Sequence, residues 1–187
     1  MTPYEIELRV ADLIEEKRYQ DAFGLLLPIA DNGSEFTLMT LGWLLSNDVI
    51  AENNNHTAME YHYRAARKGN RQAFIAYGKL LLDEGLASEA LMIFEEGAEL
   101  GSFACKYWLG SMLIDGNGGV ADEPSGVSWL KQAADSGHLY AQRDLLVFEF
   151  RKEQSLFSKA SIALKIGCLA LKVGKETIME KNSEKIR

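Results

Sequence analysis

Proline, cysteine and basic charge are all scarce in this 187-residue sequence, which has three prolines, two cysteines and 20 Lys and Arg against 27 Asp and Glu. With so little proline and no low-complexity tract, most of the chain is expected to be ordered, and only the polar residues from Lys175 to Arg187 read as prone to fray. The two cysteines, Cys105 and Cys168, stand far apart in apolar stretches, where a thiol behaves as a small hydrophobe; a reducing compartment follows. A net charge of −7 excludes nucleic acid as the main ligand, because phosphate binding needs clustered Lys and Arg. Uninterrupted apolar runs long enough to span a bilayer are missing too. Near the N-terminus Glu5 and Glu7 stand where a secretory signal needs a basic start, so the expected location is the cytoplasm.

Catalytic patterns are also lacking. There is no Cys-x-x-Cys, His-Glu-x-x-His or Gly-x-Ser-x-Gly, and no glycine run ahead of Lys-Ser or Lys-Thr. His56, His62 and His138 are isolated from one another in sequence, and the pairs Glu15-Glu16 and Glu95-Glu96 read as solvated outer faces, since adjacent helical residues point in different directions. The sequence therefore predicts no catalytic residue, no metal ligand and no cofactor.

What is present is a repeat. Gly33, Gly69, Gly101, Gly137 and Gly174 recur at spacings of 36, 32, 36 and 37 residues, and Gly42, Gly78 and Gly110 follow the first three by nine. Eleven residues before each glycine stands a small residue, Ala22, Ala58, Ala90, Gly126 or Ala163. Small residues at fixed offsets let helices approach closely, and the large residues eight before each glycine (Leu25, Tyr61, Ile93, Trp129, Ile166) are expected to fill the remaining space. After the glycine, a small residue at offset four (Thr37, Ala73, Cys105, Ala141) and a large one at offset eight (Leu41, Tyr77, Leu109, Leu145) define one buried stripe. Each repeat glycine reads as a left-handed helix terminator, with Ser34, Asn70, Ser102 or His138 starting the next helix.

The fullest copy runs Gly101-Ser102-Phe103-Ala104-Cys105, Leu109-Gly110, Asp115-Gly116-Asn117-Gly118-Gly119-Val120, Asp122, Trp129 and Ala133-Ala134-Asp135-Ser136-Gly137. This pattern resembles the Sel1-like repeat family, which is related to the tetratricopeptide repeats. The resemblance spans residues 18–174 and implies an all-α fold, a right-handed α-solenoid of antiparallel helix pairs. It also implies a bacterial interaction protein: a scaffold or adaptor, an immunity protein that neutralises a toxin, or a membrane-peripheral adaptor in cell-surface polysaccharide synthesis.

Helices are predicted near 4–16, 18–30, 34–46, 56–68, 70–83, 87–99, 102–114, 124–135, 138–151 and 155–173. Pro28 removes a helical hydrogen bond and should kink or end the second of these, so residues 1–33 read as an atypical N-terminal cap. Residues 1–174 form the repeat domain, 155–174 its apolar C-terminal helix, and 175–187 a basic polar tail.

In a solenoid of helix pairs a ligand meets the concave groove, lined by the first helix of each pair. With offsets four, eight and nine buried, offsets two, five and six are the groove candidates: Glu35, Leu38, Met39, Arg71, Phe74, Ile75, Phe103, Lys106, Tyr107, Leu139, Gln142 and Arg143. Aromatic and Arg side chains among them are of the type that dominates interface energetics, so a protein partner is expected. A second surface is marked by Lys159, Lys165 and Lys172. Residues 151–187 hold nine Lys and Arg against four Asp and Glu, which leaves 11 against 23 for residues 1–150. On the last helix only a narrow polar stripe accompanies an almost wholly apolar surface. Three coverings stay open for it: the tail, a partner or second copy of the chain, or a membrane surface.

Overall fold

The computed structural model describes residues 1–52 and 54–186, with side chains described as far as Lys175. Among these residues there are ten α-helices and no strand: α1 (Pro3–Glu15), α2 (Tyr19–Leu26), α3 (Glu35–Ser46), α4 (Asn55–Arg67), α5 (Arg71–Asp83), α6 (Ala87–Glu99), α7 (Phe103–Asp115), α8 (Glu123–Asp135), α9 (Leu139–Lys152) and α10 (Leu156–Ile186). A short 3-10 helix, Leu27–Asn32, follows α2 directly and carries Pro28 in its first turn. The ring therefore ends the α-helix at Leu26 and tightens the next turn. The side chains of the basic tail lie outside the described ones, apart from that of Lys175.

One backbone device recurs inside each pair from α1 to α8. The N–H at the entry to the second helix donates back to a leucine carbonyl near the end of the first: Arg18 to Leu13 at 2.8 Å, Asn54 to Leu45 at 2.9 Å, Leu86 to Leu81 at 2.8 Å and Asp122 to Leu113 at 2.8 Å. Because both ends of this bond keep their offsets from the repeat glycines, the loop between them varies in length without moving the helices. The Gly116-to-Gly119 loop is such a linker, with Gly116 and Gly118 in the left-handed region. Asp122 then caps α8, accepting from Ser125 N–H at 3.1 Å. Hydrogen bonding from the Ser125 side chain, and then from its backbone N–H, holds the Asp122 carboxyl below its ordinary range.

Between pairs the repeat glycine acts as expected at three of its five positions. Gly69, Gly101 and Gly137 have φ of 99°, 85° and 91°. The residue after each donates to the carbonyl four before the glycine, Asn70 to Ala65, Ser102 to Gly97 and His138 to Ala133. Gly33 and Gly174 depart from this. Gly33 has φ −57° after the 3-10 helix, and it is needed for room, since a Cβ there would lie 2.7 Å from Thr37 Cγ2. Gly174 sits inside α10, which continues to Ile186. Asn70 caps α5 with two bonds, from Gln72 and Ala73 N–H at 3.0 and 3.1 Å. Asn70→Ala is expected to cost about 1 kcal/mol, read as a lower urea midpoint at unchanged helicity.

In three pairs the side chain that fills the pair is one position later than the sequence pattern predicts: Leu26, Phe94 and Leu130, seven before their glycines, are buried, whereas Leu25, Ile93 and Trp129 are only half-buried. In the α3–α4 pair Tyr61, as predicted, and His62 are both buried. Helix geometry explains the shift: positions eleven and seven before the glycine are i and i+4 on one face, so Ala58 lies over His62 and Ala90 over Phe94. The chain divides into two compact units, Met1–Ser102 and Phe103–Arg187. In the first, α1 packs on α2, α3 on α4 and α5 on α6, with α2–α3 and α4–α5 contacts joining the pairs; in the second, α7 packs on α8, α8 on α9 and α9 on α10.

Candidate functional site

In the second unit, α7 and α9 bring their side chains together on one face. The three-residue link from α8 to α9, Ser136 to His138, places His138 as N-cap, its Nδ1 accepting from Ala141 N–H at 3.2 Å. The proton of the neutral ring is thereby assigned to Nε2. Burial lowers the His138 pKa, against a smaller opposing pull from Asp144. Around this ring gather Tyr107, stacked at 4.5 Å between centroids, Phe103 at 5.8 Å and Tyr140 at 6.0 Å. Arg143 lies over the Tyr140 ring at 5.2 Å.

Asp144 ties the polar side of this cluster. Its Oδ1 accepts from Arg143 Nε at 2.7 Å and its Oδ2 from the Tyr107 hydroxyl at 3.0 Å. Burial, the Asp144 charge and that hydrogen bond all push the Tyr107 phenol up, so it stays a neutral donor. Asp144 also borders a cleft of about 230 Å³ with Ser111, Asp115 and Arg151. The face thus offers exposed rings, one oriented guanidinium and a cleft of mixed lining, in which Ile114, Leu130, Val147 and Phe148 stand beside the polar groups. Among the described residues no group of three or more His, Cys, Asp and Glu side chains converges as a metal site.

Three of the groove candidates, Phe103, Tyr107 and Arg143, meet here. Lys106 is turned to the other helix of its pair, donating to Gln132 Oε1 at 3.1 Å, and the Gln142 amide donates to the Ala134 carbonyl at 3.1 Å. Leu139 is half-buried on α9. In the first unit Glu35 and Arg71 are exposed, and Met39 and Ile75 half-buried. Leu38 and Phe74 are corrections: both are core residues, 0% and 1% exposed, and offer no side chain to a partner. Offset five is buried there because α3 and α5 each pack against helices on two sides, α2 and α4 for the one, α4 and α6 for the other. Lys165 and Lys172 are exposed on α10, while Lys159 is half-buried with Nζ 5.6 Å from the Phe150 ring.

His138, read in the sequence only as the start of a helix, Tyr140 and Asp144 are the members of the cluster missing from the groove candidates. Asp144 had a signal: it stands seven after its glycine, where the other repeats carry Thr40, Ala76 and Trp108. A carboxylate at a position otherwise uncharged marks a departure from repeat packing.

No family model matches the sequence. Among solved structures, the chain is similar to a Sel1 repeat protein from Oxalobacter formigenes, with a TM-score of 0.68 at 20% identity over 82% of this chain and 64% of that one. It is also similar to a protective antigen present in uropathogenic Escherichia coli strains that displays an SLR fold, with a TM-score of 0.68 at 21% identity over 82% of this chain and 33% of that one. The chain spans less than two thirds of the length of either. With left-handed glycines joining its helix pairs at Gly69, Gly101 and Gly137, it has the all-α solenoid fold of the Sel1-repeat proteins.

Proposed function

We propose that the chain is a non-enzymatic protein-binding module and that the α7–α9 face is its partner surface. The observation that carries this reading is the cluster of Phe103, Tyr107, His138, Tyr140 and Arg143, in which Phe103 and Tyr140 are about half exposed. Tyr and Arg are the residue types that dominate binding energy. Here their rotamers are already held by stacking and by Asp144, which reduces the ordering cost of association. The fold of Sel1-repeat proteins supports the same reading, since stacked helix pairs present side chains in rows suited to an extended partner.

The test is affinity capture from the native cell with the wild-type chain and with Tyr140→Ala combined with Arg143→Glu. The variant is expected to lose the captured protein by at least about tenfold, since two such residues together contribute more than about 1.4 kcal/mol. Its circular dichroism spectrum is compared with wild type to show that the fold is kept, since Arg143 is half-buried and paired with Asp144. Equal recovery by both proteins would move the partner surface elsewhere. A turnover abolished by Asp144→Asn alone would replace the binding reading with a catalytic one.

A further inference from the structure

α10 has two apolar faces, and only one of them is used. Ile162, Ile166, Leu169 and Val173, at i, i+4, i+7 and i+11, are the half-buried residues that turn toward α9. The opposite side leaves Phe157, Leu164 and Leu171 exposed at 87%, 72% and 68%, spaced seven residues apart with small residues between them. At 100° per residue, the stretch from Ala170 round to Cys168 forms an unpartnered arc of about 160°, apolar from Leu156 to Gly174, with Lys175 closing its C-terminal end. Lys165 and Lys172 border it on one side and Lys159 on the other. From Ser155 to Lys175 there are four lysines and no Asp or Glu, although the chain as a whole carries a charge of −7.

We propose that this outer face of α10 lies on an anionic lipid bilayer, with Phe157, Leu164 and Leu171 among the acyl chains and the lysines at the phosphate level. Charge complementarity selects this occupant. A second copy docked through the same face would bring two sets of lysine rims together with no carboxylate on α10 between residues 155 and 175 to pair them. The arc is also wider than the stripe that one facing helix covers, whereas an interfacial helix sinks its entire apolar face into a continuous medium. Lysines on both rims suit that geometry, because their stems run along apolar surface while the amines reach the headgroups. On one side the stems have such a surface: Lys165 and Lys172 line a cleft of about 550 Å³ with Leu145, Leu146, Leu169 and Glu149. No helix among the described residues is long and apolar enough to cross a membrane, so the geometry is one of lying on the surface. This inference stands apart from the α7–α9 reading and uses none of its residues.

The full chain is to be sedimented with sucrose-loaded vesicles of phosphatidylcholine alone and of phosphatidylcholine mixed with phosphatidylglycerol. Binding is expected to the mixed vesicles only, and to weaken as salt is raised. Lys165→Gln with Lys172→Gln should weaken binding by about tenfold or more, each lysine near an anionic surface being worth several-fold. Leu164→Ser with Leu171→Ser should abolish it, and since both side chains are exposed, an unchanged circular dichroism spectrum will show that the fold is kept. Failure to bind mixed vesicles, or unchanged binding by the leucine variant, would overturn the proposal. So would a dimer in solution that the leucine variant breaks while vesicles remain unbound, or a protein held through this face in preference to vesicles.

Discussion

Gly126→Ala is expected to destabilise the second unit by about 3 kcal/mol, at the upper end of what overpacking costs, and Gly110→Ala by a similar amount. The two glycines face each other where α7 crosses α8. A Cβ on Gly126 would stand 2.7 Å from the Gly110 carbonyl oxygen and 3.0 Å from Ile114 N. A Cβ on Gly110 would stand 2.8 Å from the Gly126 carbonyl oxygen and 3.0 Å from Leu130 N. Backbone atoms set these distances, so no rotamer change relieves them and the helices must move apart. At the equivalent places in the first unit the obstacle is a ring, His62 for Gly42 and Phe94 for Gly78, at 2.6 and 2.5 Å. Gly24 supplies the control: it lies in α2 with open space where a Cβ would go, so Gly24→Ala should gain about 0.5–1 kcal/mol from helix propensity. Thermal unfolding followed by circular dichroism separates the cases. Midpoints for Gly126→Ala and Gly110→Ala should fall by on the order of 6–12 °C. A midpoint within about 1 °C of wild type for either would show that α7 and α8 are not in backbone contact.

Acidification should weaken the first unit through His62. This ring is buried on α4 at 2% exposure, under the space Gly42 leaves on α3, and its Nδ1 has no hydrogen-bond partner. Desolvation alone lowers its pKa from 6.5 to about 4. Below 6.5 the unfolded chain binds a proton that the folded chain refuses, so stability falls with pH across this window. The loss reaches about 2 kcal/mol at pH 5 and levels off near about 3 kcal/mol once pH is below the folded value. His138 adds a loss in the same direction, since burial lowers its pKa and protonation at Nδ1 removes the acceptor that caps α9. Urea midpoints at pH 7 and pH 5 check the His62 contribution. His62→Leu should show a pH dependence smaller by about 2 kcal/mol than wild type. If the variant keeps the wild-type dependence, proton uptake at some other group explains it.

The glycine register was legible in the sequence because its causes are local. A left-handed residue is required wherever one helix ends against the start of another, so Gly69, Gly101 and Gly137 mark those junctions without reference to the rest of the fold. Pro28 is equally local, and α2 ends before it. Three of the alanines eleven before a glycine are read correctly for the same reason: Ala22, Ala58 and Ala90 are fully buried, whereas Ala163 is exposed on α10. The depth of the side chains beside them is not local. Trp129 is larger than Leu130, yet Leu130 is the buried one, because the i+4 position and not the larger residue faces the partner helix.

The two candidate surfaces divide in the same way. The sequence by itself determined that α10 carries too much apolar surface for one packing face and that residues 155–175 hold lysines with no Asp or Glu among them. Only tertiary structure decided that Ile162, Ile166, Leu169 and Val173 turn toward α9 while Phe157, Leu164 and Leu171 turn away, since either half of the helix is apolar enough to pack. On the first helices of the pairs, offset five is core at Leu38 and Phe74 but polar and half-exposed at Lys106 and Gln142. A repeat position specifies a direction from the helix axis, and the neighbours it meets determine whether that direction leads into protein or water. The meeting of Tyr107, His138, Tyr140, Arg143 and Asp144 depends on how closely α7 and α9 approach, a distance that no spacing within either helix encodes.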